Sequence, residues 1–124
     1  METVVQIGIG EFGPIYEGVR GKEAVDFLLK NKNGEIPCAM WRADLGCIDF
    51  VYGKTGEDGY GLAHISEYHS EILPYLEKII REGEVFKQST DRVLILNKVP
   101  IGKGVAVLRL DWNGASKQWL VTAF

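Results

Sequence analysis

The hydrophobic positions of this 124-residue chain change period along its length, and each change predicts an element. Residues 3–9, from Thr3 to Ile9, form an apolar, β-branched run that reads as a strand. Residues 10–18, with Gly13 and Pro14 adjacent, break regularity. Over residues 21–31, Ala24, Val25, Phe27 and Leu28 recur at helical spacing while Lys22, Glu23, Asp26 and Lys30 fall outside, so a helix is expected, ended by Asn33-Gly34. Residues 35–41 and 46–52 read as short strands, and residues 53–59 as a polar, glycine-rich loop. Leu62, Ile65, His69, Ile72, Leu76 and Ile79 then alternate three and four apart, a core-facing stripe through residues 60–81. Pro74 lacks a backbone donor and clashes one turn back, so two helices are expected, with Ser70 capping or preceding the second and Pro74 in its first turn.

From Glu84 the period is two. Residues 84–89, 92–98, 105–112 and 118–124 predict four strands in an antiparallel meander. The fold class that results is α+β, with N-terminal helices packed on an antiparallel sheet of four or more strands. In the last hairpin, placing Asn113 opposite Gln118 pairs Trp112 with Trp119, Leu110 with Val121 and Leu108 with Ala123, an unbroken apolar face. The same register makes Arg109 and Thr122 direct cross-strand neighbours on the other face, beside Val107, Asp111 and Phe124.

Composition narrows the class. The length suits one domain with one core, and 46% hydrophobic with 25% charged residues is an ordinary globular balance. No apolar run approaches the ~20 residues of a membrane span, and no signal-peptide pattern opens the chain. Met1 is therefore expected to start a cytosolic protein or an excised module of something longer. Cys38 and Cys47 stand in predicted neighbouring strands, where a disulfide is geometrically allowed; two buried free thiols in a reducing cytosol are the expectation. No metal-ligand cluster is visible. A net charge of −3 argues against coating nucleic acid by bulk electrostatics. The charge is uneven, however: residues 84–124 carry 6 basic and 3 acidic side chains. That excess either forms a local anion-binding surface or merely solvates the outside of a sheet.

The only two histidines, His64 and His69, fall within Gly61-Leu-Ala-His-Ile-Ser-Glu-Tyr-His69. Imidazole exchanges its proton near neutral pH, so the pair points to acid–base chemistry. Five helical steps of about 100° leave the rings about 140° apart, so both serve one site only if the helix ends between them. His69 also lies on the apolar stripe, where a buried, hydrogen-bonded histidine is expected. His64 lies at the stripe's edge.

The order Gly-Leu-Ala-His64-Ile, His69, basic meander, Asp-Trp-Asn-Gly114 and Trp-Leu-Val-Thr122-Ala-Phe124 resembles the phage-type nuclease domains of the barnase, EndoU, colicin and RelE-like superfamily. Gly46-Cys-Ile-Asp49-Phe-Val-Tyr-Gly53 shares in the resemblance, which covers residues 35–124. It implies a C-terminal toxin or effector module of a phage or secreted protein that acts in the cytoplasm. The reaction implied is metal-independent and cofactor-free cleavage of RNA, with transfer RNA among the candidate substrates, and an acidic immunity protein as inhibitor. Under that resemblance His64, His69, Arg109 and Thr122 are the catalytic candidates. Arg92 and Lys103 join Arg109 as phosphate ligands, and Tyr60 and Tyr68 are candidates to stack a base. Asp49 would orient a histidine or arginine, or only end a strand. Two other classes remain in view: a catalytically silent RNA- or protein-binding module, and a metal-dependent hydrolase using His64, His69 and Glu67. The five-residue spacing is wrong for two metal ligands on one helical face, and a third histidine is lacking.

Overall fold

The structure, a computed structural model, describes residues 4–124; Met1 and Thr3, expected at the chain start and in the first strand, lie outside the described residues. Strands open and close the chain. A hairpin of β1 (Val5–Gly10) and β2 (Gly13–Glu17) occupies part of the stretch expected to be irregular, followed by α1 (Gly21–Asn31). Then come β3 (Glu35–Arg42), β4 (Gly46–Val51), α2 (Gly61–Tyr68), a 3-10 helix (Ser70–Tyr75) and α3 (Leu76–Glu82). The meander closes the chain as β5 (Glu84–Ser89), β6 (Arg92–Val99), β7 (Gly102–Trp112) and β8 (Ala115–Ala123).

The α+β class therefore holds, with two corrections. The helices follow the first strands instead of preceding the sheet. The sheet itself is mixed and eight-stranded, in the order β1-β2-β3-β4-β8-β7-β6-β5, because β2–β3 and β4–β8 pair in parallel. An antiparallel sheet was expected because β1–β4 carry no sequence mark of which neighbour they will join.

The apolar stripe is buried as its spacing requires: Leu62, Ile65, Ile72, Leu76 and Ile79 are at most 2% exposed. Pro74, by contrast, lies inside the 3-10 helix, and α3 begins only afterwards at Leu76. Pro74 has no donor and its ring clashes with the preceding turn of an α-helix, and the regular α-helix starts only past it. Across the sheet interface, a Cβ at Gly104 would collide with Ile79 and press on Ile72, so this segment lies directly on β7. Val93, Ile95, Ala106, Leu108, Leu120 and Ala123 complete the same core from the sheet side.

Alternation then fixes what faces away from the helices. On β6 and β7 the pairs Arg92–Arg109, Leu94–Val107, Leu96–Val105 and Lys98–Lys103 share that outer face. Thr122 pairs with Val107 and Trp119 with Arg109, while Phe124 exchanges backbone hydrogen bonds with Val105.

That register corrects the one expected from the apolar pattern. Trp112 pairs with Ala115, not Trp119, because Asn113 and Gly114 both take positive φ (49° and 81°) and close a two-residue turn. Asn-Gly is the pair that such a turn prefers. Irregularities between Val107 and Leu108 and between Arg109 and Asp111 absorb the difference. Arg109 and Thr122 consequently share a face without being directly opposed.

The free-thiol expectation is also overturned. Cys38 and Cys47 form a disulfide, with Cα atoms 4.6 Å apart. The β3–β4 pairing is irregular between Ile36 and Met40, and Cys38 there takes φ 51°, a turn of the backbone that simple strand alternation does not foresee.

Candidate active site

The site begins where β4 and β8 pair in parallel. Asp49–Trp119 is their register pair. Past it, β4 ends and the chain turns back through Gly61, where φ is +75° and a Cβ would meet the Val51 and Tyr52 carbonyls; Ala63 N–H bonds the Tyr52 carbonyl at 2.7 Å. A glycine is what permits helix α2 to start that close to β4. At its start, the Tyr60 ring lies 5.7 Å from Trp119; just past its end, the His69 ring lies 5.9 Å from Phe124. Helix α2 thus runs beside β8 in the same direction.

Along α2, Leu62, Ala63 and Ile65 are buried, whereas His64 is half-buried and Tyr68 exposed. The helix ends at Tyr68, and His69 leaves it with φ −139° and ψ 39°. That break brings together rings which a continuous helix would hold apart: the His64 and His69 centroids are 5.8 Å apart, and Tyr68 is 5.1 Å from His64. His69 is accordingly half-buried at the rim, not enclosed in the core as the stripe implied. Glu57, His64, Tyr68 and His69 line a shallow cavity of about 270 Å³. His64 Nδ1 is 3.1 Å from the Gly56 carbonyl oxygen, which can only accept, so Nδ1 carries hydrogen and the neutral ring keeps its lone pair at Nε2.

The imidazole cavity is lined by Glu57, His64, Tyr68 and His69, without Arg92, Arg109 or Thr122, which lie on the outer sheet face. Arg109 Nε donates to Asp111 Oδ1 at 2.8 Å, and its guanidinium sits 5.7 Å from the Trp112 ring centroid. The Asp111 hydrogen bond, outweighing a small effect of burial, raises the Arg109 pKa further above its ordinary value. Arg92, opposite Arg109, approaches Asp91 only to 3.9 Å. Among the described residues, Arg92 Nη1, Thr122 Oγ1 and Trp112 Nε1 are buried side-chain polar atoms without a hydrogen-bond partner. Buried donors in folded proteins are nearly always satisfied, which sets these three atoms apart.

Other expected residues have other places. Tyr60 packs with Phe12, Trp112 and Trp119 at 5.5–6.1 Å, an aromatic cluster that occupies the ring expected to stack a base. Lys103 is exposed opposite Lys98, and both line a groove of about 400 Å³ with Glu82, Glu84, Phe86, Leu96 and Asn97. Asp49 orients neither a histidine nor an arginine: it accepts from Lys117 Nζ at 2.8 Å and from Cys38 N–H at 2.8 Å. Lys117 also binds Glu35 Oε2 at 2.6 Å, forming an ion triad across β3, β4 and β8. Glu67, considered as a metal ligand, accepts from Gly56 N–H at 2.8 Å. The Gly56 contact to His64 and the unpaired Trp112 indole went unnoticed in the sequence. Only the glycines of residues 53–59 hinted that this loop bends closely against something.

The family model described as phage-Barnase-EndoU-ColicinE5/D-RelE like nuclease1 matches residues 39–124. No curated protein and no solved structure matches the chain. The matched range holds α2, both histidines and the whole meander, and leaves out β1, β2 and α1. The chain belongs to this phage-Barnase-EndoU-ColicinE5/D-RelE like nuclease family.

Proposed function

We propose that this nuclease domain is a metal-independent endoribonuclease. The ribose 2′-oxygen attacks the adjacent phosphorus, the bond from phosphorus to the 5′-oxygen breaks, and the products are a 2′,3′-cyclic phosphate and a 5′-hydroxyl. The step needs a base for the 2′-hydroxyl proton and an acid for the leaving oxygen. The observation that carries this reading is the imidazole pair, 5.8 Å apart, at the end of a helix that flanks the strand bearing Thr122. His64 takes the proton at Nε2, the nitrogen its Gly56 contact leaves free. His69 gives one to the 5′-oxygen, and exchange with water resets both rings.

Charge on the phosphate is met by Arg92 and Arg109, whose guanidinium groups stay protonated throughout. Thr122 donates its otherwise unpaired hydroxyl to a phosphate oxygen, and Lys103 extends the cationic track along the strand. Tyr68, 47% exposed beside His64, stacks on a base. The same proposal makes the domain a toxin or effector module of a longer phage or secreted protein, acting in a cytoplasm on RNA such as transfer RNA. An acidic immunity protein covering the cationic face would inhibit it.

The test is incubation of the purified domain with total RNA in EDTA, followed by end-group analysis. Fragments ending in 2′,3′-cyclic phosphate are expected, with an all-deoxy oligonucleotide left intact. Cleavage that needs an added divalent metal, or comparable turnover of the deoxy substrate, contradicts the mechanism.

A further inference from the structure

In the loop between β4 and α2, Gly56 is held to the helix from both its amide and its carbonyl side. Gly56 N–H donates to Glu67 Oε1 at 2.8 Å, and the Gly56 carbonyl accepts from His64 Nδ1 at 3.1 Å and from Gly59 N–H at 2.9 Å. Both lone pairs of that carbonyl are thereby engaged, and the loop is closed behind it by paired hydrogen bonds between Lys54 and Tyr60, each 2.9 Å. Glu67 stands three residues after His64 on α2, the spacing at which two side chains share a helix face and reach the same object. A free neutral imidazole carries its proton preferentially on Nε2. Here the carbonyl reverses that preference, and the tautomer is set by the partner of the other nitrogen. A carbonyl on a glycine-rich loop holds such a direction only if the loop itself is held, and Glu67 is the side chain that grips the same residue from its amide side.

We propose that Glu67 is a positioning residue: through Gly56 it fixes the His64 tautomer and keeps Nε2 open toward the substrate. The consequence for rate rests on the ribonuclease reading above; the tautomer does not. Glu67→Gln retains a side-chain oxygen that accepts the Gly56 N–H, whereas Glu67→Ala removes it.

The experiment records long-range proton–nitrogen spectra of the ¹⁵N-labelled chain with the imidazoles neutral, alongside steady-state RNA cleavage. The parent chain and Glu67→Gln should show His64 protonated at Nδ1. Glu67→Ala should shift its population toward Nε2–H and lower kcat by roughly ten- to a hundredfold, the scale of a slightly misplaced catalytic group, with KM within about twofold. A parent tautomer ratio or a parent kcat in Glu67→Ala overturns the proposal, as does a loss in Glu67→Gln equal to that in Glu67→Ala. If the ratio shifts in a chain whose parent cuts no RNA, the positioning stands and the reading of the reaction falls instead.

Discussion

At the scale of single residues, Thr122 offers the cleanest separation of function from fold. Its hydroxyl is buried and has no hydrogen-bond partner among the described residues, so Thr122→Val deletes no hydrogen bond among them and keeps the β-branched shape that a strand favours. Denaturant unfolding should place the variant within about 0.5 kcal/mol of the parent, while RNA cleavage falls; unchanged cleavage removes Thr122 from the site. His64→Ala should preserve the circular dichroism spectrum and lower the cleavage rate by roughly 10²–10⁴-fold, the usual contribution of general acid–base catalysis. The imidazole pair was legible in the sequence because histidine is rare here and both copies share one short segment. What each ring touches was not legible. Gly56 lies eight residues from His64 across a loop whose path no periodicity encodes, and Lys117 lies 82 and 68 residues from the carboxylates that hold it.

At the scale of elements, apolar periodicity located the stripe of α2 and α3 and every strand of the meander, because burial of one face demands it. It misjudged the last register, where turn chemistry at Asn113-Gly114 outweighed the attraction of a continuous apolar face. It also missed how β3 and β4 are fastened. Their disulfide closes a short loop, so reduction should lower unfolding free energy by about 2.5 kcal/mol, read from denaturation with and without dithiothreitol. The ion triad that joins these strands to β8 predicts a second effect. Burial pulls the Lys117 pKa down, but the hydrogen bonds to Asp49 and Glu35 together outweigh it and hold the ammonium above its ordinary value. Because the folded value is raised, the stabilisation is complete below the ordinary lysine value and is lost as pH climbs through the folded one. Lys117→Met leaves Glu35 and Asp49, 8% and 18% exposed at the side chain, without their cation. Denaturant unfolding at neutral pH should show a loss of about 3 kcal/mol; unchanged stability would contradict the triad.

At the scale of the whole molecule, the meander gives the sheet two faces of different character: one closed by the 3-10 helix and α3, the other carrying Arg92, Arg109, Lys98 and Lys103 around Thr122. The charge excess of residues 84–124 pointed to such a surface, but only the strand pairings decide that its cations share a face. Setting α2 against β8 depends on the parallel β4–β8 pairing at Asp49–Trp119, which nothing in either strand's pattern announces. The proposed reaction requires that His64 on α2, His69 just past its end and this cationic face bind one RNA strand together. Amide and imidazole chemical-shift mapping with a short oligonucleotide bearing a 2′-O-methyl group, which cannot be cut, tests it most directly. Perturbations should converge on His64, His69, Thr122, Arg92 and Arg109 in a single saturable titration. Perturbations confined to other surfaces, or reaching the histidines without the strand residues, would contradict it.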